Sequence, residues 1–112
     1  MTEITDEYMF EMLGKSKDYT LLLLRVAADY DGPDARPTIF EHGRRNFALR
    51  AEGLLPIVCR VTDDSEWAGI GVFDGTVDEV TRIMEGDPGV RAGIFTYEVH
   101  PVASFPGDAL PH

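Results

Sequence analysis

The stretch Asp87–Gly93 has the sequence Asp-Pro-Gly-Val-Arg-Ala-Gly. It combines residue types that can position a catalytic group. Gly86 and Pro88 predict that a helix ends just before it, with Gly86 in the left-handed conformation. A residue that precedes proline is restricted to extended backbone, so the direction of Asp87 is constrained. A carboxylate held in this way can orient a ligand or a catalytic side chain, and it serves equally well as a plain turn-forming aspartate. These residues alone leave both interpretations open.

Other residue types that carry chemistry are few. The chain has three histidines, His42, His100 and His112, and one cysteine, Cys59. The histidines lack the spacing of metal ligands, so no metal site is predicted. Cys59 lies in an apolar run and is predicted to be a buried, unreactive thiol. The sequence has no glycine-rich phosphate loop, no Gly-x-Ser-x-Gly and no cysteine–histidine signature, which disfavours nucleotide binding and covalent hydrolysis; no cofactor is predicted.

Length and charge narrow the function classes further. The 112 residues predict a single domain. The net charge of −10 argues against binding to nucleic acid or to anionic membrane surfaces. The acidic N-terminus has no signal-peptide pattern, and no apolar run is long enough to cross a bilayer. A single cysteine fits a reducing compartment, so a cytoplasmic location is expected.

The hydrophobic pattern predicts the order helix, then β-α-β-β-α-β. The predicted elements are a short helix over 5–13, strands over 19–28, 54–62, 66–73 and 94–99, and two main helices over 38–52 and 76–85. Thr5 and Thr76 are predicted helix N-caps. The short helix carries an apolar stripe and cannot stand alone, so it is expected to dock on the main domain or on a partner chain.

The longer main helix is predicted to turn one apolar stripe to the core, with His42 beside it. The stripe is made of Phe40, Gly43, Phe47, Ala51 and Leu54.

Two strands carry features that suggest a ligand site. Arg25 interrupts the apolar first strand, and is expected either to reach the strand end or to enter a polar pocket. On the strand over 66–73, Trp67, Gly69, Gly71 and Phe73 are predicted to share one face. The two glycines leave space there for a ligand or for a closely packed helix.

This order of elements predicts an α+β, ferredoxin-like fold, an antiparallel sheet with both main helices on one face. The first strand is nevertheless apolar on both sides, which is typical of a strand that is covered on both faces. A second copy of the sheet would cover the open face, so a homodimer through that face is predicted.

Four pieces of the sequence carry a family resemblance: the strand Tyr19–Arg25, the helix with His42 that ends in Glu52-Gly53-Leu54-Leu55, the strand Gly69–Phe73, and the segment from Gly86 to Pro101. Together they resemble the YCII-related (YciI-like) domain of the dimeric α/β-barrel superfamily. The resemblance covers residues 19–101. Residues 1–18 are then an N-terminal helical extension and residues 102–112 a C-terminal tail.

The resemblance implies a function as well as a fold. Most such proteins have no established activity, but a few are implied to be dehydrochlorinases of chlorinated hydroxyquinols, and the fold is similar to that of muconolactone isomerase. The implied site is a His–Asp pair, which by the motif falls on His42 and Asp87. His42 would act as general acid or base, since an imidazole exchanges protons near neutral pH, and Asp87 would fix its tautomer.

Three hypotheses follow for that pair. The first is a cofactor-free lyase or isomerase for a small cyclic or aromatic compound, with Arg25 and Trp67 lining the ligand cleft. The second is a non-catalytic ligand-binding or accessory dimeric module that uses the same pocket. The third is a structural hydrogen bond that ties the helix to the loop.

Overall fold

The computed structural model describes all 112 residues as four helices and four strands. In chain order the elements are α1 (Asp6–Leu13), β1 (Lys17–Val26), α2 (Ala35–Ala51), β2 (Ile57–Arg60), β3 (Trp67–Phe73), α3 (Val77–Glu85), α4 (Pro88–Arg91) and β4 (Phe95–Ser104). The predicted α+β class is confirmed, with α4 as an additional short helix. The longest helix, α2, has 17 residues, and none of the helices meets the length and hydropathy of a bilayer-spanning segment.

The four strands form one antiparallel sheet in the order β2-β3-β1-β4. This arrangement is compatible with the predicted ferredoxin-like fold. The apolar strand β1 lies inside the sheet, where it pairs with both β3 and β4. The edge strand β2 has only four residues. The other edge strand, β4, contains Pro101, a residue that an edge tolerates because it lacks a backbone N–H.

The hydrophobic core lies between the helices and one face of the sheet. Every second residue of β1, Thr20, Leu22 and Leu24, is buried on this face. The core consists of ten buried residues: Leu22, Leu24, Ala35, Leu49, Leu55, Phe73, Val80, Met84, Ile94 and Phe95. Since α2 and α3 both contribute to this single cluster, they pack on the same face of the sheet.

The opposite face of the sheet is also apolar, and we call it the open face. Leu21 pairs with Val72 and Leu23 pairs with Ile70 across β1 and β3. Ile70 is 39% exposed. Cys59 pairs with Ile70 and is exposed, so the predicted burial of the thiol is wrong for the single chain. The thiol is accessible because it lies on the open face, which no helix covers.

A β-bulge separates Trp67 from the rest of β3. Leu24 pairs with Gly69, but the next residue, Arg25, pairs with Trp67. Ala68 is therefore the additional residue, and the slip rotates Trp67 to the open face beside Arg25. The prediction that Trp67 shares a face with Gly69 is wrong for this reason.

The orientation of α2 differs from its prediction. The expected core stripe faces outward, with Phe40 at 65% and Phe47 at 66% exposure. The buried positions are Ala35, His42 and Leu49, seven residues apart and on the opposite side of the helix. The inner side accepts a histidine because the ring finds hydrogen-bond partners there.

The N-terminal helix α1 has no buried residue. Its predicted N-cap is confirmed, since the Thr5 side chain accepts a hydrogen bond from the Tyr8 amide at 3.2 Å. The molecule measures 56 × 30 × 24 Å, and its radius of gyration is 16.4 Å. A compact chain of this length has a radius of gyration of roughly 13 Å, so α1 extends away from the domain instead of docking on it.

Candidate functional site

Asp87 sits at the N-terminus of α4, where its backbone is extended as the following proline requires. Its Oδ2 accepts hydrogen bonds from the amides of Gly89 at 3.0 Å and Val90 at 3.2 Å. The turn-forming role proposed for Asp87 is therefore present. Gly86, however, has φ −89° as the C-cap of α3, so its predicted left-handed conformation is wrong.

The same carboxylate also contacts the histidine on α2. His42 Nδ1 lies 2.8 Å from Asp87 Oδ1 and 2.9 Å from Oδ2. Asp87 has no exposed surface, and His42 is 8% exposed. The structure thus brings these two predicted site residues together and joins α2 to the start of α4.

The pKa of Asp87 lies below its ordinary value, although burial by itself raises it. The opposing causes are the hydrogen bond and charge of His42, the Val90 amide and the charge of Arg45. Arg45 Nη1 is 3.8 Å from Asp87 Oδ1. An ionised carboxylate only accepts hydrogen bonds, so Nδ1 of His42 carries the proton that it donates.

With the proton on Nδ1, the other ring nitrogen of neutral His42 has a free lone pair. Asn46 Nδ2 lies 3.2 Å from His42 Nε2, and its amide N–H therefore donates to that nitrogen. The imidazole ring also packs on Phe95, with ring centroids 4.8 Å apart and planes at 48°. Nε2 is the basic atom of the site, and Asn46 is its only hydrogen-bond partner in the chain.

Sequence reasoning missed Asn46 and Arg45. Asn46 follows His42 by four residues, so both side chains lie on one side of the helix and meet. That spacing is a usable signal once His42 is a candidate. Arg45 carries no comparable signal, since its approach to Asp87 depends on how α2 packs on α4.

The other two predicted site residues lie elsewhere. The Arg25 guanidinium stacks 4.5 Å from the centroid of the Trp67 ring, on the open face. Its Nη2 lies 3.2 Å from Glu98 Oε2, and its Nε lies 3.5 Å from Glu66 Oε2. His42 contacts the helix-covered side of the sheet, so the structure does not bring Arg25 or Trp67 to the His42–Asp87 pair.

The space predicted beside the two glycines of β3 is occupied. A Cβ on Gly71 would come within 2.9 Å of Leu55 Cδ1, and one on Gly69 within 2.9 Å of the Cys59 carbonyl oxygen. The glycines therefore allow close packing of the chain itself.

A surface depression of about 750 Å³ lies at the N-terminus of α3, lined by residues such as Tyr19, Asp74 and Thr76. Neither His42 nor Asp87 lines it. No group of three or more His, Cys, Asp or Glu side chains is arranged to hold a metal ion.

The chain was compared with models of known protein families and with curated proteins, and it matches none of them. The function is therefore argued from the site itself, from the compatible fold and from the sequence resemblance.

Proposed function

We propose that this chain is a YciI-like protein of the dimeric α/β-barrel superfamily and a cofactor-free acid–base enzyme, a lyase or isomerase. The proton-transferring atom is His42 Nε2. The observation that carries this proposal is the contact of 2.8 Å between His42 Nδ1 and a buried, ionised Asp87. The strand order β2-β3-β1-β4 supports the assignment of the fold.

Asp87 has two effects on the ring. It fixes the tautomer that leaves Nε2 unprotonated, and its charge stabilises the imidazolium that forms when Nε2 takes a proton. The carboxylate itself is held by the amides of Gly89 and Val90, so it does not need to reorganise during the reaction.

In the proposed reaction Nε2 removes a proton from a phenolic O–H or from a carbon next to a carbonyl. In a chlorinated hydroxyquinol the chlorine-bearing ring carbon then takes a proton and becomes tetrahedral. Chloride leaves that carbon with the bonding electron pair while a second hydroxyl loses its proton, so the products are HCl and a hydroxyquinone. In an isomerisation the same proton returns at another carbon. The substrate class is a small cyclic or aromatic compound.

Access to Nε2 runs through Asn46. This side chain is only partly buried, and it is the one group that bonds to Nε2. Rotation of its amide exposes the lone pair to a substrate. Once Nε2 is protonated, the amide oxygen of Asn46 can accept that proton in a hydrogen bond.

We further propose that the protein is a cytoplasmic homodimer that pairs through the open face. Support comes from the apolar residues on both sides of β1, of which only one side is covered by helices. Leu23→Glu places a charge on the open face and should weaken self-association at least ten-fold in sedimentation analysis. Leu110→Glu is the matched control, since Leu110 is exposed in the tail. A wild-type monomer at micromolar concentration contradicts the dimer.

The second hypothesis, a non-catalytic role, has one observation in its favour. Asp87 caps α4 and bonds to α2 at the same time, as a purely structural carboxylate would. The two roles differ in whether a reagent reaches His42 in the folded protein.

Diethyl pyrocarbonate, which acylates unprotonated imidazole nitrogens, measures that access. The exposed terminal His112 is the internal control. We expect His42 to react more slowly than His112, and faster after Asn46→Ala, when the adducts are mapped by mass spectrometry. A His42 that reacts only after denaturation is sealed, and the catalytic proposal is then wrong.

Chloride release from a chlorinated hydroxyquinol tests the reaction itself. We expect release by the wild-type protein, loss in His42→Gln with the fold retained, and unchanged release in His100→Gln. Equal release by all three proteins contradicts the role of His42.

A further inference from the structure

Two exposed apolar surfaces lie on different helices of this chain. On α1, exposure reaches 74% for Phe10 and 53% for Leu13. On the outer side of α2, Phe40 is 65% exposed and Phe47 is 66% exposed. Exposed apolar side chains that cluster on one face mark interaction surfaces.

The outer side of α2 has the shape of a receptor site. Phe40 and Phe47 are seven residues apart, which separates them by about 10 Å along the helix axis. Gly43 lies between them, and a Cβ built there has no neighbour within 4 Å. We call this gap between the two rings the Phe40–Phe47 notch. It is open down to the backbone and can accept one large side chain.

The charges around the two surfaces are complementary. The helix α1 carries three acidic residues and no basic one: Asp6, Glu7 and Glu11. The helix α2 carries four arginines and a single acidic residue: Arg36, Arg44, Arg45, Arg50 and Glu41. The whole chain has a net charge of −10, so α2 is a basic exception on an acidic protein. An acidic apolar helix is the chemistry that this surface fits.

We propose that α1 of one copy of this chain docks in the Phe40–Phe47 notch of a second copy, with Phe10 seated over Gly43. Within one chain α1 buries no residue, so its apolar side is free for the other copy. A reciprocal exchange of α1 helices is self-complementary and closes as a two-fold dimer. The contact does not depend on pairing through the open face or on the chemistry of His42.

Disulfide trapping between two different chains tests the contact. One chain carries Cys59→Ser with Phe10→Cys, and the other carries Cys59→Ser with Phe47→Cys. Each chain has one thiol, so any cross-link between the two is intermolecular. We expect the mixed disulfide to form at least ten-fold faster than with Leu110→Cys in place of Phe10→Cys. Equal rates overturn the proposal. All three positions are exposed, so the fold is retained, as circular dichroism will verify.

A single chain that carries both Phe10→Cys and Phe47→Cys distinguishes docking on a second copy from docking within one chain. At micromolar concentration we expect dimers linked between chains. A disulfide closed within one chain would mean that α1 folds back on its own α2, and the proposal would be wrong.

Charge reversal tests the electrostatic part. One variant changes Asp6, Glu7 and Glu11 to Lys, and another changes Arg36, Arg44 and Arg50 to Glu. Arg45 is kept, because it lies near Asp87. With the Leu23→Glu substitution present to remove pairing through the open face, we expect each variant to associate at least ten-fold more weakly in sedimentation analysis. The chain with both reversals should regain the association. Failure to regain it overturns the charge pairing.

Discussion

Two hydrogen-bonded side-chain pairs lie on the two sides of the sheet, with similar distances and very different surroundings. His42 lies 2.8 Å from Asp87 on the helix-covered side, and Arg25 lies 3.2 Å from Glu98 on the open face. Asp87 has a side-chain exposure of 1%, whereas Glu98 has 45%. Water competes with the second pair and screens it, but has little access to the first.

The difference teaches that distance alone does not identify a functional pair. Because Asp87 is buried, the charge of its carboxylate depends on the hydrogen-bond donors around it. That charge in turn fixes the tautomer of His42. Arg25 has two carboxylate neighbours, Glu98 and Glu66, and can lose one of them at small cost. Four predictions test this contrast.

The largest effect is expected from removing the buried carboxylate. Asp87→Ala leaves the His42 Nδ1–H and the amides of Gly89 and Val90 without an acceptor, which should lower the free energy of unfolding by about 3 kcal/mol. Glu98→Ala should lower it by less than about 1 kcal/mol. Urea denaturation of both variants measures this. Similar losses would mean that burial does not distinguish the pairs.

The next effect comes from two glycine-to-alanine substitutions. A Cβ on Gly89 would come within 2.5 Å of Phe95 Cδ2 and 3.1 Å of Asp87 Oδ2, so Gly89→Ala should destabilise the protein by about 2 kcal/mol. Gly43→Ala meets open space on a helix and should stabilise it by up to about 1 kcal/mol. Thermal melting gives both values, and a stabilised Gly89→Ala would show that the site is loosely packed.

A smaller effect is expected from pH. The folded-state pKa of Asp87 is lowered, so its stabilisation is fully present above the ordinary carboxyl pKa of about 4 and is lost as the pH falls through the lowered value. The stability difference between the wild type and Asp87→Asn should shrink as the pH falls below about 4. Urea titrations at each pH measure it. A difference that does not shrink below about pH 4 contradicts the lowered pKa.

The smallest effect is expected on the open face. Arg25→Met removes the stacking of the guanidinium on Trp67 and should change stability by less than about 1 kcal/mol. Trp67 is the single tryptophan, so its fluorescence reports this contact directly. The reaction of His42 with diethyl pyrocarbonate should not change. A changed reaction rate of His42 in Arg25→Met would mean that residues on the two faces of the sheet act as one site.

Much of the fold could be predicted because local signals agree with it. The caps at Thr5 and Thr76 form as predicted, and the strands follow their apolar runs. The orientation of α2 could not be predicted, because either side of the helix offers a regular stripe. The side with the larger residues, Phe40 and Phe47, faces out, and the side with His42 faces in because Asp87 and Asn46 satisfy the ring.

The site itself was only partly predictable. His42 and Asp87 are 45 residues apart, and nothing local in the sequence links them; their pairing was expected from the family resemblance alone. The bulge at Ala68 depends on how β3 pairs with β1, and a slip of one residue moved Trp67 to the other face. Interactions that form only between distant segments leave no periodic signal.

The two edges of the sheet limit how copies of this chain can join. One edge is the four-residue β2, which follows Pro56, and the other is β4, which contains Pro101. Short edge strands and prolines hinder the addition of further strands. Growth into a continuous ribbon or a fibril by addition of strands is therefore disfavoured.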